Sequence, residues 1–219
     1  MDITDHILER TSRIVPEPEV TNDTYGMFND GGVEIEVAEF LYALVRVTKP
    51  QFVLETGTHK GISALYFALG LDRNGQGSIE TYEVIPELQL EAISLWQDLG
   101  MVHRIGAYLR PSLQAEGDTP IDLLFLDSEP QYRFDEFLYF WDRVVPGGLI
   151  IVHDLHPTMG RSGITRDGMD DWPYGPWDEK LGVYVENMKV QIVYIPSPRG
   201  LTIFQKTRPE DENIKLLLE

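Results

Sequence analysis

The feature that most constrains this chain is a set of short apolar runs in which hydrophobic residues do not alternate with polar ones. Leu149-Ile150-Ile151-Val152 is the plainest case, and residues 52–55 and 121–126 read the same way. A strand with one wet face alternates, whereas a strand covered on both faces stays apolar along its length. Between these runs lie segments of helical period, over residues 61–71, 86–99 and 133–145. Strand and helix in alternation, with doubly covered strands, specify an α/β fold whose parallel sheet is packed on both sides.

Other segments complete the order. An apolar helix spans about 33–47 and closes at Lys49-Pro50. A second strand is expected at 78–84, and Pro86 opens the helix after it, where its missing N–H is no loss. A weak third strand is expected at 103–107, and Pro146-Gly147-Gly148 is read as the stop of the helix over 133–145. Residues 190–195 and 201–205 form two strands flanking Pro196-Ser197-Pro198-Arg199-Gly200. So short a connection forces antiparallel pairing, because a parallel return needs a crossover. The expected fold is a Rossmann-like, doubly wound sheet, mostly parallel, with a C-terminal antiparallel hairpin. This domain covers 33–206. Around it lie an N-terminal helix and cap segment over 1–32 (helix at 3–14, loop at 19–32), a lid or substrate loop at 155–176, a helix at 177–188, and a charged tail at 207–219.

Charge narrows the partners. The chain carries 36 Asp and Glu against 18 Lys and Arg, a formal net charge of −18. Nucleic-acid affinity comes largely from Lys and Arg neutralising phosphates, so no nucleic-acid partner is expected and a neutral or cationic small molecule suits better. The absence of cysteine excludes disulfides, thiolate zinc sites and cysteine nucleophiles. No apolar run reaches the roughly 18 residues of a membrane span, and Met1-Asp2-Ile3-Thr4-Asp5 does not begin a signal peptide. These features fit a cytoplasmic protein with no membrane partner, and a homo-oligomer is compatible with them.

Candidate chemistry gathers where strands end. The first strand runs through Glu55-Thr56-Gly57-Thr58-His59-Lys60-Gly61-Ile62-Ser63 into a helix. Glycines let the backbone turn tightly and let a ligand approach it, and a helix N-terminus offers free N–H groups. The spacing is Glu-x-Gly-x-x-x-Gly, wider than the dinucleotide fingerprint Gly-x-Gly-x-x-Gly and without glycine at position 59. At the end of the second strand, Glu83 is placed to accept hydrogen bonds from ribose hydroxyls; Glu80, also in that strand, faces the opposite side by period-two alternation. Asp127 ends the fourth strand, and His153-Asp154-Leu155-His156 follows the fifth. In a parallel sheet these ends share one side, so Asp127, His153 and Asp154 converge. Two carboxylates and an imidazole can ligate a divalent ion that acidifies a substrate hydroxyl. Alternatively, His153 or His156 acts as a general base without metal.

The turn and the element order resemble class I S-adenosylmethionine-dependent methyltransferases, over roughly residues 33–206. The resemblance implies their seven-stranded architecture, with Glu55 near the methionine amino group of S-adenosylmethionine, Gly57 and Gly61 in the turn beneath it, and Glu83 on its ribose. Thr58 and Ser63 add hydroxyls, and Asp127 lies beside the cofactor. The family often has an acid after the third strand; here the stretch reads Gly106-Ala107-Tyr108, and Tyr108 is expected to stack on adenine instead. The strand-end acids are similar to those of metal-dependent O-methyltransferases of the macrocin and cephalosporin hydroxylase-like subgroup, although His153 stands where that subgroup has Glu. This implies a site for Mg²⁺ or another divalent metal at Asp127, His153 and Asp154. Trp172, Tyr174 and Trp177, with Tyr25, Met27 and Phe28 opposite, are candidate walls for a sugar-containing or aromatic acceptor. The resulting expectation is O-methylation of a small molecule. The alternatives are a metal-independent enzyme with a His base, or a non-catalytic binding protein of the same fold.

Overall fold

A computed structural model describes residues 19–20, 26–27, 32–155, 190–195 and 200–207. Two short strands, β1 (Glu19–Val20) and β2 (Gly26–Met27), pair antiparallel. The main sheet takes β3 (Phe52–Thr56), β4 (Ser78–Glu83), β5 (Ile105–Leu109), β6 (Ile121–Leu126), β7 (Val144–His153), β8 (Val190–Ile195) and β9 (Leu201–Lys206). The helices among the described residues are α1 (Ile35–Thr48), α2 (Ile62–Asn74), α3 (Pro86–Asp98) and α4 (Pro130–Phe140).

Strand order is β5-β4-β3-β6-β7-β9-β8. The first five in sequence are mutually parallel where they pair, and β9 runs antiparallel to both β7 and β8. This is the seven-stranded arrangement expected from the sequence. The apolar runs are explained by their neighbours. Val53, Leu123, Phe125 and Ile151 belong to one core, with Leu41 and Val45 of α1, Phe67 of α2 and Trp96 of α3. Leu54, Leu124, Ile150 and Val152 belong to the other, with Phe134, Phe137 and Phe140 of α4 and Phe204 of β9. Successive residues of one strand therefore fill opposite cores, which is why no position along it is polar by default.

Several boundaries differ from the sequence reading. The segment read as a loop over 19–32 contains the β1–β2 ladder. The third strand begins at Ile105, because Val102–Arg104 forms a 3₁₀ turn. The fourth helix starts at Pro130 and ends at Phe140, so Arg133 lies in its first turn. Pro146-Gly147-Gly148 does not stop a helix. It lies within β7, where Ile121 pairs with Val144 but Leu123 pairs with Leu149, so the three residues bulge out between two paired stretches. The expected helices at 3–14 and 177–188, the lid at 155–176 apart from Leu155, and the tail beyond Thr207 lie outside the described residues.

The tightest point is the exit from β3. Gly57 N–H donates to the Tyr82 carbonyl at 3.1 Å, and Asp127 N–H donates to the Thr56 carbonyl at 3.0 Å, so three strand ends are laced together. Gly57 has φ +82°, and a Cβ there would sit 2.3 Å from the Asp127 carbonyl oxygen. Gly100 has a similar φ of +72° but open space around it. Gly100→Ala should therefore cost only the left-handed backbone term, about 1–2 kcal/mol, whereas Gly57→Ala adds a backbone collision and should cost about 3 kcal/mol or more. Urea titration of both variants checks this, and equal losses would contradict it.

Candidate active site

From β3 the chain builds outward to β4 and β5, then returns to place β6 on the other flank of β3. The connections leaving β3 and β6 therefore diverge, and an open α/β sheet has its crevice at that switch point. A cavity of about 280 Å³ lies there. Its walls are the turn over residues 57–63, Glu83 at the end of β4, Ile85 and Leu88 at the start of α3, the segment after β6 from Asp127 to Pro130, Arg133 of α4, and Asp154 after β7.

Of the residues singled out from the sequence, Gly57, Thr58, Gly61, Ser63, Glu83, Asp127 and Asp154 line this cavity. Glu55 and His153 stand behind it, 0 % and 1 % exposed. His156 lies outside the described residues. Glu83 accepts the N–H groups of His59 (2.7 Å), Val84 (2.8 Å) and Ile85 (3.0 Å), so it ties the glycine turn to the start of α3. Glu80 faces the other way and accepts the hydroxyls of Tyr82 and Tyr108, each at 3.1 Å. Tyr108 is not a wall of the cleft. The β4–β5 register sets it beside Tyr82, on which its ring stacks at 5.1 Å, with the Arg110 guanidinium 5.2 Å from its centroid. The expected adenine stack on Tyr108 is therefore replaced by a strand-to-strand stack.

Glu55 is wholly enclosed. Its Oε2 accepts the Thr81 hydroxyl at 2.5 Å, and Thr81 shares a 2.6 Å hydrogen bond with Thr58. Its Oε1 has no hydrogen-bond partner among the described residues. Burial pushes its pKa up to about 8, with the Ser63 and Thr81 hydroxyls opposing and the nearby Asp127 and Glu83 charges adding to the rise.

His153 sits in a nest of acids. Its Nδ1 is 2.9 Å from Asp127 Oδ1 and 3.6 Å from Asp154 Oδ2, and its Nε2 is 3.0 Å from Glu34 Oε2. Burial by itself lowers an imidazole pKa, but Asp127, Asp154 and Glu34 together outweigh it and raise His153 to about 10. Both ring nitrogens then donate to carboxylates. Arg133 completes the cluster. Its Nε donates to the Ser128 carbonyl at 2.6 Å, one terminal nitrogen to the His153 carbonyl, and the other reaches Asp127 Oδ1 at 3.2 Å and Asp154 Oδ2 at 3.5 Å.

Sequence reasoning missed four members of this site. Arg133 escapes it because the helix begins at Pro130, ahead of its expected start, and Glu34 because its partner His153 is 119 positions away. Glu136, 1 % exposed, gathers the hydroxyls of Thr56 (2.9 Å), Ser128 (2.7 Å) and Ser112, and so fixes the loop that carries Asp127. His59 did carry a signal, since it stands where a dinucleotide fingerprint has glycine. It holds a left-handed φ of 48° in the cavity wall, and its buried Nδ1 has no partner among the described residues. Burial and the Lys60 charge hold its pKa below the usual histidine value. Asp154 likewise has φ 54°. Non-glycine residues in this region carry strain of about 1–2 kcal/mol each, and here two of them face one cleft.

A family profile described as "Methyltransferase domain" matches residues 54–155, the stretch that builds the cleft. A "Putative O-methyltransferase" of Mycobacterium sp. (strain JLS) is 30% identical over 178 residues, covering 79% of this chain and 78% of that protein. This chain belongs to the class I S-adenosylmethionine-dependent O-methyltransferases. Solved structures share the fold. The O-methyltransferase TomG from Streptomyces achromogenes, in complex with SAM, superposes with a TM-score of 0.67 at 21% identity, over 82% of this chain and 83% of that one. The O-methyltransferase from Bacillus cereus, in complex with SAH, gives 0.67 at 19% identity, over 82% and 84%. Among the described residues of this methyltransferase, no helix is long and apolar enough to cross a membrane.

The enclosure of Glu55 has a measurable consequence. Between its ordinary value of 4.5 and the raised value of about 8, the folded chain keeps a proton that the unfolded chain releases. Stability must then fall as pH rises through this window. Glu55→Gln removes the titration, so its melting temperature should gain on the parent's progressively from pH 5 to pH 8, as followed by circular dichroism. Parallel curves for the two proteins would exclude a raised pKa.

Proposed function

We propose that this methyltransferase moves the methyl group of S-adenosylmethionine to a hydroxyl oxygen of a small-molecule acceptor. The observation that carries this reading is a cleft at the switch point lined by the Gly57–Gly61 turn and the Glu83 carboxylate, with Glu55 buried behind it and its Oε1 without a hydrogen-bond partner among the described residues. The donor set suits an adenosyl amino acid. A carboxylate offers about four acceptor positions, and backbone N–H groups occupy three of those on Glu83. One position on Oε2 is left for a ribose hydroxyl. Glu55 Oε1 suits the methionine ammonium once Ser63 or Thr58 moves aside and the carboxyl gives up the proton that its raised pKa retains. The turn passes beneath the ribose and the amino-acid chain.

When bound, S-adenosylmethionine supplies a methyl carbon on a sulfonium, which an oxygen attacks in line as the carbon–sulfur bond breaks. The protein's work is alignment and removal of the acceptor proton. We assign acceptor activation to Asp127 and Asp154, the carboxylates that follow β6 and β7 in the wall of the cleft. His153 acts through them rather than as the base, because both its nitrogens are already committed to carboxylates. His156 stays a candidate read from the sequence. The aromatic stretch over 170–177, also read from the sequence, suits stacking on a sugar-containing or aromatic acceptor.

The sequence also pointed to Mg²⁺ or another divalent metal. One donor atom from each of Asp127, His153 and Asp154 does lie within 4.8 Å of the others. The set nevertheless fits an ion poorly. Asp127 Oδ1 and Asp154 Oδ2 already face the Arg133 guanidinium, and His153 Nδ1 is hydrogen-bonded to Asp127 Oδ1.

Calorimetric titration with S-adenosylmethionine and its demethylated product tests the assignment. Both should bind at one site per chain, and Glu83→Gln should weaken each by about tenfold, the value of one charge-assisted hydrogen bond. Absence of heat from both ligands would reduce the chain to a non-catalytic binding protein of this fold.

A further inference from the structure

The ends of β6 and β7 each present a carboxylate to the cleft, and two such groups side by side need a cation between them. Arg133 is 6 % exposed, is held in the first turn of α4, and makes four contacts from one planar group. Two go to backbone carbonyls, at Ser128 after β6 and His153 at the end of β7. Two go to carboxylates, at Asp127 after β6 and Asp154 after β7. The guanidinium thus joins both strand ends by backbone and by side chain, which a fork of fixed donors does well and a flexible ammonium does not. A divalent ion takes oxygen ligands at about 2.0–2.6 Å. Placed on Asp127 Oδ1 and Asp154 Oδ2, it would lie directly against a positive charge that two backbone carbonyls already hold in place.

We infer that the Arg133 guanidinium is the resident cation of this site, bridging Asp127 and Asp154 where a divalent metal would otherwise sit, so that the acceptor end of the cleft works without a metal ion. The inference deepens the methyltransferase reading, since it is that reading which makes this the acceptor end. Arg133 is a positioning residue: it fixes the separation and direction of the two carboxylates. The chain supplies its own counter-charge from a helix that is already anchored to both strands.

The test is a titration of Mn²⁺ and of Mg²⁺ alone into the full-length, chelator-treated chain, followed by calorimetry and, for Mn²⁺, by electron paramagnetic resonance. The parent protein should show no saturable binding below about 1 mM, the weak end of protein sites for such ions. Arg133→Met leaves only the His153 imidazolium against the two carboxylates and should gain one Mn²⁺ site at least tenfold tighter than the parent, lost again in Arg133→Met/Asp127→Asn. Arg133→Lys keeps a charge and should gain none; Arg133→Gln, which removes the charge but keeps an amide donor, should gain the same site and serves if Arg133→Met fails to fold by circular dichroism. Stoichiometric Mn²⁺ binding by the parent, abolished by Asp127→Asn, would overturn the inference. So would a folded Arg133→Met that gains no site. Binding of the demethylated cofactor with and without chelator is measured alongside. Its loss in both conditions would count against the methyltransferase reading, while the metal titrations still judge Arg133.

Discussion

Five ionisable side chains, Glu34, Asp127, Arg133, His153 and Asp154, share one nearly dry space at the ends of β6 and β7. Charges removed from water must be paired, and removing one member of a buried pair costs about 3–5 kcal/mol. That constraint organises much of the structure around it. Glu34 must be where it is, so the residue that opens α1 is drawn to the end of β7 to meet His153. Arg133 must reach two strands, so α4 begins close behind β6, with Pro130 at its first position. Asp154 takes a left-handed backbone to turn its carboxylate inward.

The same cluster sets the polarity of the cleft. Part of its wall is the glycine turn and Glu83, with Glu55 buried behind. Another part is Asp127 and Asp154, held by Arg133. Gly57 connects the two, because its close approach to the Asp127 carbonyl leaves no space for a side chain. The glycine in the cavity wall is thus also the glycine that lets β3 and β6 end side by side. Gly61 is similar: a Cβ there would meet Trp96 at 2.7 Å, while the Trp96 indole donates to the Gly61 carbonyl at 2.8 Å. Both motif glycines are required by packing before any ligand arrives.

The parallel strands, the terminal hairpin and the glycine turn were legible because each rests on a local pattern. Apolar runs, a short Pro/Gly connection and Glu-x-Gly-x-x-x-Gly are all visible within about ten neighbouring residues. Errors fell where local pattern is silent or misleads. Pro146-Gly147-Gly148 has the composition of a helix stop, yet the pairing of β7 with β6 on both sides absorbs it as a bulge. Tyr108 had a free role in the sequence until the β4–β5 register placed it on Tyr82. The partners of His153 were not legible, because neither Glu34 nor Arg133 stands near it in sequence.

From its amino acids alone, this chain determined which segments become strands, that the sheet is covered on both faces, and which ends carry acids. Those properties follow from periodicity and from the geometry of short connections. Only the tertiary structure decided how the acids are used. Whether a carboxylate holds a proton, a metal or an arginine depends on what is brought within about 4 Å of it in a space that excludes water. Here the decisive partners come from α1 and α4, elements that the sequence places far apart and only the packed sheet brings together.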